Sequence, residues 1–290
     1  MRDGYPDDDV VTEILRSDRA VVAIAPHDGG RLVSLELDGV ELIGRGTPDV
    51  GLPPGWYHGS FPMAPYAGKV KDGTFRFGGT TYRLPPNAGP HAGHGLVFDV
   101  PWSTVTPSTG SRVVLATPLD GRWPFGGTVE QVLALDGTGL SVTLRLSNDD
   151  RPMPGALGLH PWFRRDLGHG PARYSFEPTR RFAPAADGFP RLLSADLGER
   201  PWDDVFTGVR RWPSVTWPGG PTAHIESSSD TWIVYERQES GFCIEPITAP
   251  PDSLGTARAA VVRPGEPLVL TMRIDWRPMN DGGQLAAGPG

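Results

Sequence analysis

The sequence predicts an all-β protein, a large antiparallel β-sandwich. Three observations carry that expectation. Apolar and polar residues alternate with period two from one end of the chain to the other. No long segment shows a helical period, and prolines interrupt most stretches that approach one. The composition also fits, with 38 glycines and 32 prolines among 290 residues, beside nine tryptophans, eleven phenylalanines and six tyrosines. So many aromatics argue against disorder, and so much Gly and Pro argues for many turns.

The elements follow in chain order. Residues 10–16 fit a first strand better than a helical turn. Val33, Leu35 and Leu37 alternate with Ser34, Glu36 and Asp38, and Asp38-Gly39 supplies a hairpin turn into Val40-Glu41-Leu42. Phe75 and Phe77 alternate with Arg76, Gly78-Gly79 turns the chain, and Tyr82 and Leu84 bring it back. Leu140, Val142, Leu144 and Leu146 share one face of a further strand. The clearest strand is the last, with Leu268, Leu270, Met272, Ile274 and Trp276 on one side and Val269, Thr271, Arg273 and Asp275 on the other. Such alternation suits antiparallel sheets with one face in a core, and this many strands stack into two sheets. No linker, repeat or composition shift divides the chain, so residues 1–279 are expected to form one domain. The Gly-rich, patternless residues 280–290 are expected to be a disordered tail.

A net charge of −7 and the lack of a basic stripe argue against nucleic acid and against polybasic membrane attachment. No apolar run reaches the length of a membrane span. The acidic start has no hydrophobic signal core, and Cys243 is the only cysteine, so neither a disulfide framework nor a thiolate zinc site is expected within one chain. The expectation is a cytoplasmic protein, monomeric or homodimeric.

Several segments have the residue types of a reactive site. Residues 89–95, Gly-Pro-His-Ala-Gly-His-Gly, hold His91 and His94 in a glycine-rich turn. There they either point into a cleft or cap carbonyls at the surface. His160, in Gly-Leu-His-Pro-Trp-Phe, is pushed to extended backbone by Pro161. It is either a satisfied core histidine or a proton-transfer group whose aromatic wall lowers its pKa. In Phe242-Cys243-Ile244-Glu245-Pro246 a strand puts Cys243 and Glu245 on one face, with Pro246 expected to stop it. A carboxylate there either reaches water or an arginine, or is desolvated toward the pKa of a general base. Asp203 and Asp204 are either exposed turn acids or acceptors for sugar hydroxyls. Trp102, Trp123 and Trp162 are either core or stacking platforms for a sugar ring. Lys69 and Lys71 are the only lysines, against 25 arginines. His91, His94, His160 and Glu245 together have the ligand types of an oxygen–nitrogen metal site, but no recognised metal spacing occurs, and neither metal nor cofactor is expected.

Taken in order, these segments resemble the aldose 1-epimerase (galactose mutarotase) family. The matching pieces are residues 64–75 (Ala-Pro-Tyr-Ala-Gly-Lys-Val-Lys-Asp-Gly-Thr-Phe), Gly79 with Tyr82-Arg83-Leu84, Asn87-Ala88-Gly89-Pro90, His94-Gly95 and Trp123-Pro124-Phe125. Residues 158–163, 203–207 (Asp-Asp-Val-Phe-Thr) and Glu245-Pro246 continue the pattern. The resemblance runs from about residue 20 to 276. It implies a galactose mutarotase-like β-supersandwich that interconverts the anomers of a free aldose without a cofactor. Position by position it implies Glu245 as general base, His160 as general acid, and His94 and Asp203 as sugar-binding residues. Asp203 is chosen over Asp204 because the family spaces its aspartate two residues from the phenylalanine, here Phe206. Trp162 and Lys69 are expected to line the sugar site. Lys69 stands where the family has arginine, and Gly68 where it has asparagine, so a charge and a donor remain but the planar fork is lost. The same fold also implies two alternatives, a hexose-6-phosphate 1-epimerase with a cationic phosphate clamp and a non-catalytic sugar sensor.

Overall fold

The computed structural model describes residues 13–276. The expected first strand is therefore seen only as Glu13–Arg16, and residues 280–290 lie outside the described part. Every strand pairing is antiparallel, and the only helical segments among the described residues are the short turns Pro54–Tyr57 and Lys71–Gly73. The strands form an eleven-stranded sheet, an eight-stranded sheet and three two-stranded ribbons.

One hydrophobic cluster joins the two large sheets. It takes Leu35, Leu159, Phe163 and Ile244 from the larger and Val113, Leu133, Leu144 and Ile274 from the smaller. Period-two patterning produces this directly: Thr128–Leu135 and Gly139–Ser147 each bury every second residue against it. One inward position is polar, Gln131, whose amide donates to the Gly30 carbonyl at 2.6 Å and so avoids an unpaired group between the sheets.

Two local expectations are corrected. Val33 does not share the buried face of Leu35 and Leu37, because the pairing of Ala20–Ala25 with Arg31–Leu37 shifts between Ala23 and Ile24. The extra residue of that bulge turns Val33 outward and brings Leu32 into the core. Pro246 does not stop its strand, which runs Gly241–Ile247 and is buried at every position. Its ladder with Gly158–Arg164 skips from the Gly158–Ile247 pair to the Trp162–Cys243 pair. The skipped stretch holds Pro161 and Pro246, neither of which has an N–H to donate.

The middle of the larger sheet is buried on both faces. Neighbouring strands Ser60–Met63, Gly158–Arg164, Gly241–Ile247, Thr231–Tyr235 and Asp203–Thr207 turn alternate residues toward the smaller sheet. Their other residues, among them Phe61, Trp162, Cys243 and Ile233, form a second cluster with Trp56, Tyr57 and Phe98 from loops over the sheet. The candidate site lies on this loop-covered face.

Left-handed glycines shape the loops. Gly39 (φ 79°) closes the Asp38-Gly39 hairpin in open space, whereas a Cβ at Gly95 (φ 82°) would overlap the Ala64 carbonyl. Gly39→Ala is expected to cost about 1 kcal/mol, the left-handed penalty alone. Gly95→Ala is expected to cost more than about 2 kcal/mol, since strain and overlap add. Urea unfolding of the two variants gives the comparison.

Candidate active site

A cleft of about 740 Å³ opens on the loop-covered face of the larger sheet, and its lining includes Lys69, His94, His160, Trp162, Asp203 and Glu245. All six residues singled out from the sequence as catalytic or sugar-binding are thus brought together, from positions 176 residues apart in the chain. His91 and Asp204 line the same cleft.

His160 and Glu245 form its floor. The Gly158–Ile247 and Trp162–Cys243 pairs have the same register, which puts His160 opposite Glu245 on the adjacent strand. His160 Nε2 lies 3.3 Å from Glu245 Oε1, and both side chains are nearly inaccessible. Burial disfavours the charged form of each. It holds the His160 imidazolium well below the ordinary histidine range, with His94 and Arg31 adding to that effect, and pushes the Glu245 carboxyl well above the ordinary carboxylate range, with Asp203 adding. The desolvation expected for Glu245 is present. For His160 it goes further than the near-neutral value expected from its aromatic wall. Among the described residues, Glu245 Oε2 and His160 Nδ1 are buried without a hydrogen-bond partner in the protein.

His160 is held by rings. Phe61 stacks on it at 4.5 Å between centroids and 20°, and Trp162 follows at 6.0 Å and 27°. The Arg31 guanidinium lies 5.1 Å from the centre of the Phe61 ring. Arg31 is fully buried, donating to Asp28 and to the His58 and Phe98 carbonyls. Sequence reasoning missed Arg31 and Phe61, because an arginine opening an apolar strand does not reveal which ring covers it.

His94 completes the pocket edge-on, 5.1 Å from His160 at 87° and 4.3 Å from Trp56 at 85°. Its backbone is left-handed (φ 56°) and its N–H donates to the Gly68 carbonyl at 2.8 Å. Nδ1 sits 2.8 Å from Met63 Sδ. Sulfur only accepts, so the proton belongs on Nδ1 and Nε2 keeps its lone pair. Burial, aided by the Lys69 charge, lowers its pKa to about 3.

Charged groups at the cleft wall are mostly paired. Arg237 lies 3.6 Å from Asp203, Arg181 lies 3.3 Å from Asp204, and Lys71 lies 2.8 Å from Asp187. Lys69, whose backbone pairs with Gly93, is in the cleft with no ion pair among the described residues. His91 accepts the Asp72 backbone N–H through Nδ1 at 3.0 Å and meets Phe189 edge-on, so it belongs to the wall. The oxygen–nitrogen set of His91, His94, His160 and Glu245 does not assemble. The group with metal-ligand geometry among the described residues is His160, Cys243 and Glu245, with ligand atoms within 4.8 Å of one another.

Of the three tryptophans, only Trp162 reaches the cleft, and its indole N–H donates to the Trp56 carbonyl at 2.7 Å. Trp102 and Trp123 are corrected to core residues. Both sit in the cluster between the large sheets, where Trp102 donates to the Val97 carbonyl and Trp123 stacks on Phe75.

The family model for aldose 1-epimerase matches residues 14–170, more than half of the chain. The chain belongs to the aldose 1-epimerase family. Its fold is shared by a galactose mutarotase-like protein from Clostridium acetobutylicum, with a TM-score of 0.78 at 18% identity over 90% of this chain and 93% of that one. The GalM/aldose epimerase homologue from C. elegans aligns with a TM-score of 0.75 at 14% identity over 93% and 100% of the two chains. The uncharacterized protein YphB of Escherichia coli K12 is 30% identical over 106 residues, 36% of either chain, so that match spans about a third of YphB. The stretch matched by the family model contains Lys69, His94 and His160. Asp203 and Glu245 lie beyond it and line the same cleft.

The pKa of His94 makes stability depend on pH with a definite sign. Unfolded, the imidazole takes a proton below about 6.5, whereas folded it resists down to about 3, so its contribution is complete above 6.5 and lost as pH falls toward 3. His160 acts in the same direction. Glu245 acts oppositely, since its raised pKa favours the fold at low pH. Between pH 4 and 6 the stability of His94→Gln is expected to rise less steeply than that of the parent, by up to one proton or about 1.4 kcal/mol per pH unit. Urea titrations at fixed pH values measure the two slopes.

Proposed function

We propose that this family member is an aldose 1-epimerase, interconverting the α and β anomers of a free sugar by acid–base opening and closure of the ring. The observation that carries the proposal is the 3.3 Å contact between His160 Nε2 and Glu245 Oε1 on the cleft floor. Opening requires a base for the proton of the anomeric hydroxyl and an acid for the departing ring oxygen. Glu245 takes the first proton as a carboxylate, and Oε2 is its atom not already engaged within the protein. His160 as imidazolium delivers a proton to the ring oxygen while the C1–O bond breaks toward that oxygen and C1 becomes a carbonyl. Rotation about C1–C2 presents the other face, and closure runs the same transfers backward.

The proton count closes. The working pair, carboxylate and imidazolium, holds one proton between the two groups. The pair favoured by burial in the empty cleft, carboxylic acid and neutral imidazole, also holds one. Sugar hydroxyls entering the cleft bring the hydrogen bonds that stabilise the charged arrangement. A 3.3 Å contact is longer than a strong charge-assisted hydrogen bond, so a sugar separates the pair at little cost. His94 through Nε2, Asp203, Lys69 and the Trp162 ring are proposed to hold the sugar.

Substrate charge follows from the pairing at the wall. A phosphate brings about two negative charges and calls for a clamp of free cations, but of the cations lining the cleft Arg181 and Arg237 are each paired with a carboxylate, which leaves Lys69 alone. This supports a neutral aldose over a hexose 6-phosphate. The sugar-sensor alternative has no use for an acid–base pair, and anomer exchange separates it from the enzyme.

Glu245→Gln and His160→Asn are each expected to lower kcat for anomer exchange by about 10²- to 10⁴-fold, measured by NMR on freshly dissolved sugars. Near-normal turnover in either variant removes its assignment. In the same assay the parent is expected to turn over glucose, galactose, xylose or arabinose with kcat/KM at least about tenfold above that for glucose 6-phosphate, one unmade charge contact being worth at least that factor. The reverse order overturns the neutral-sugar assignment.

A further inference from the structure

We propose that His160, Cys243 and Glu245 bind a thiophilic divalent cation, zinc above all, in competition with the sugar. Binding stands on geometry alone; only the inhibition it causes rests on the acid–base assignment above.

The strand pattern builds the donor set. Cys243 and Glu245 are two residues apart on one strand and share a face, and the neighbouring strand places Trp162 opposite Cys243 and carries His160 opposite Glu245. The three ligand atoms lie within 4.8 Å of one another, and all three residues are more than nine-tenths buried. Two nitrogen or oxygen ligands at about 2.0–2.1 Å from a tetrahedral zinc are about 3.3 Å apart. That is the observed His160–Glu245 distance, so these two need little movement to share an ion. Glu245 Oε2, buried and without a hydrogen-bond partner among the described residues, is a further oxygen donor at the same point.

Donor chemistry selects the ion. One thiolate, one imidazole and one carboxylate suit zinc or cobalt and do not suit magnesium or calcium, which prefer all-oxygen shells. Charge is balanced as well. One thiolate and one carboxylate supply two negative charges against the dication, so no extra counter-ion is needed. The cleft, which His160 and Glu245 line, provides the entry path and leaves the fourth position to water. An ion there occupies the imidazole nitrogen and the carboxylate that anomer exchange requires.

Because Cys243 is the only cysteine in the chain, thiolate-to-cobalt charge-transfer absorption reports this site and no other. Titration of the full chain with Co²⁺, without chelator or added thiol, is expected to produce that absorption with one-to-one saturation and its loss on adding Zn²⁺. Glu245→Gln and His160→Asn are expected to weaken the affinity at least tenfold, and Cys243→Ser to abolish the band, with Cys243→Ala as a second variant should the serine protein fail to show parent-like circular dichroism. Zn²⁺ is expected to raise the melting temperature of the parent, as a ligand of the folded state does, and to slow anomer exchange in step with occupancy.

No band in the parent, a band indifferent to both Glu245→Gln and His160→Asn, or a Zn²⁺-induced fall in melting temperature each overturns the proposal. The two assignments fail separately. A band without anomer exchange in the metal-free parent sinks the epimerase and spares the metal site. Anomer exchange without a band does the reverse.

Discussion

The structure depends on one costly placement, an ionisable pair set in the middle of a sheet that is buried on both faces. Removing carboxylate and imidazolium from water disfavours both charges, and the opposed shifts of Glu245 and His160 express that. The surrounding elements make the placement tolerable. The smaller sheet covers the back of the strands with a continuous apolar cluster. The loops covering the front leave a cleft over the one point where the ladder skips, between Gly158–Ile247 and Trp162–Cys243. Pro161 and Pro246 occupy that gap, each directly after His160 or Glu245 in the chain. A desolvated pair is thereby kept without being sealed from the cleft.

The fold was largely legible in the sequence. Alternation located the Asp38-Gly39 and Gly78-Gly79 hairpins, the strand Gly139–Ser147 and the last strand, Leu268–Asp275. It missed the bulge at Val33, because a bulge changes which face a residue takes without changing the residue types. It also ended a strand at Pro246 that continues to Ile247, since composition does not say which ladder positions dispense with an N–H. Asp275, assigned by alternation to the polar face, is fully buried because it accepts from Arg273 and has the strand Thr222–Ser227 beside it.

The site was legible where a residue stood out from its neighbours, and illegible where it did not. A histidine before Pro-Trp-Phe and a glutamate within an apolar strand are local anomalies, and desolvation was foreseeable for both. Arg31 and Phe61 are ordinary members of β sequences, and what sets them apart is a stack that runs across three strands, Arg31–Leu37, Ser60–Met63 and Gly158–Arg164. Trp102, Trp123 and Trp162 are equivalent as letters. Only sheet register separates the one at the cleft from the two between the sheets.

Packing, more than hydrogen bonding, holds the His160 ring. A histidine fixed through an acceptor at Nδ1 gains basicity and a set tautomer, but no other described residue supplies one to His160 Nδ1, and the upward push from its own backbone is outweighed by burial. Phe61 and Trp162 both lie near-parallel to its ring, and the Arg31 guanidinium is 5.1 Å from the centre of the Phe61 ring. Stacking holds a ring plane in either protonation state, whereas a hydrogen-bonded ring favours one of them. The buried cation beyond Phe61 opposes protonation without touching the imidazole, which makes the imidazolium a ready donor once formed. Stacking sets the geometry, and burial, with His94 and Arg31 adding to it, sets the acidity.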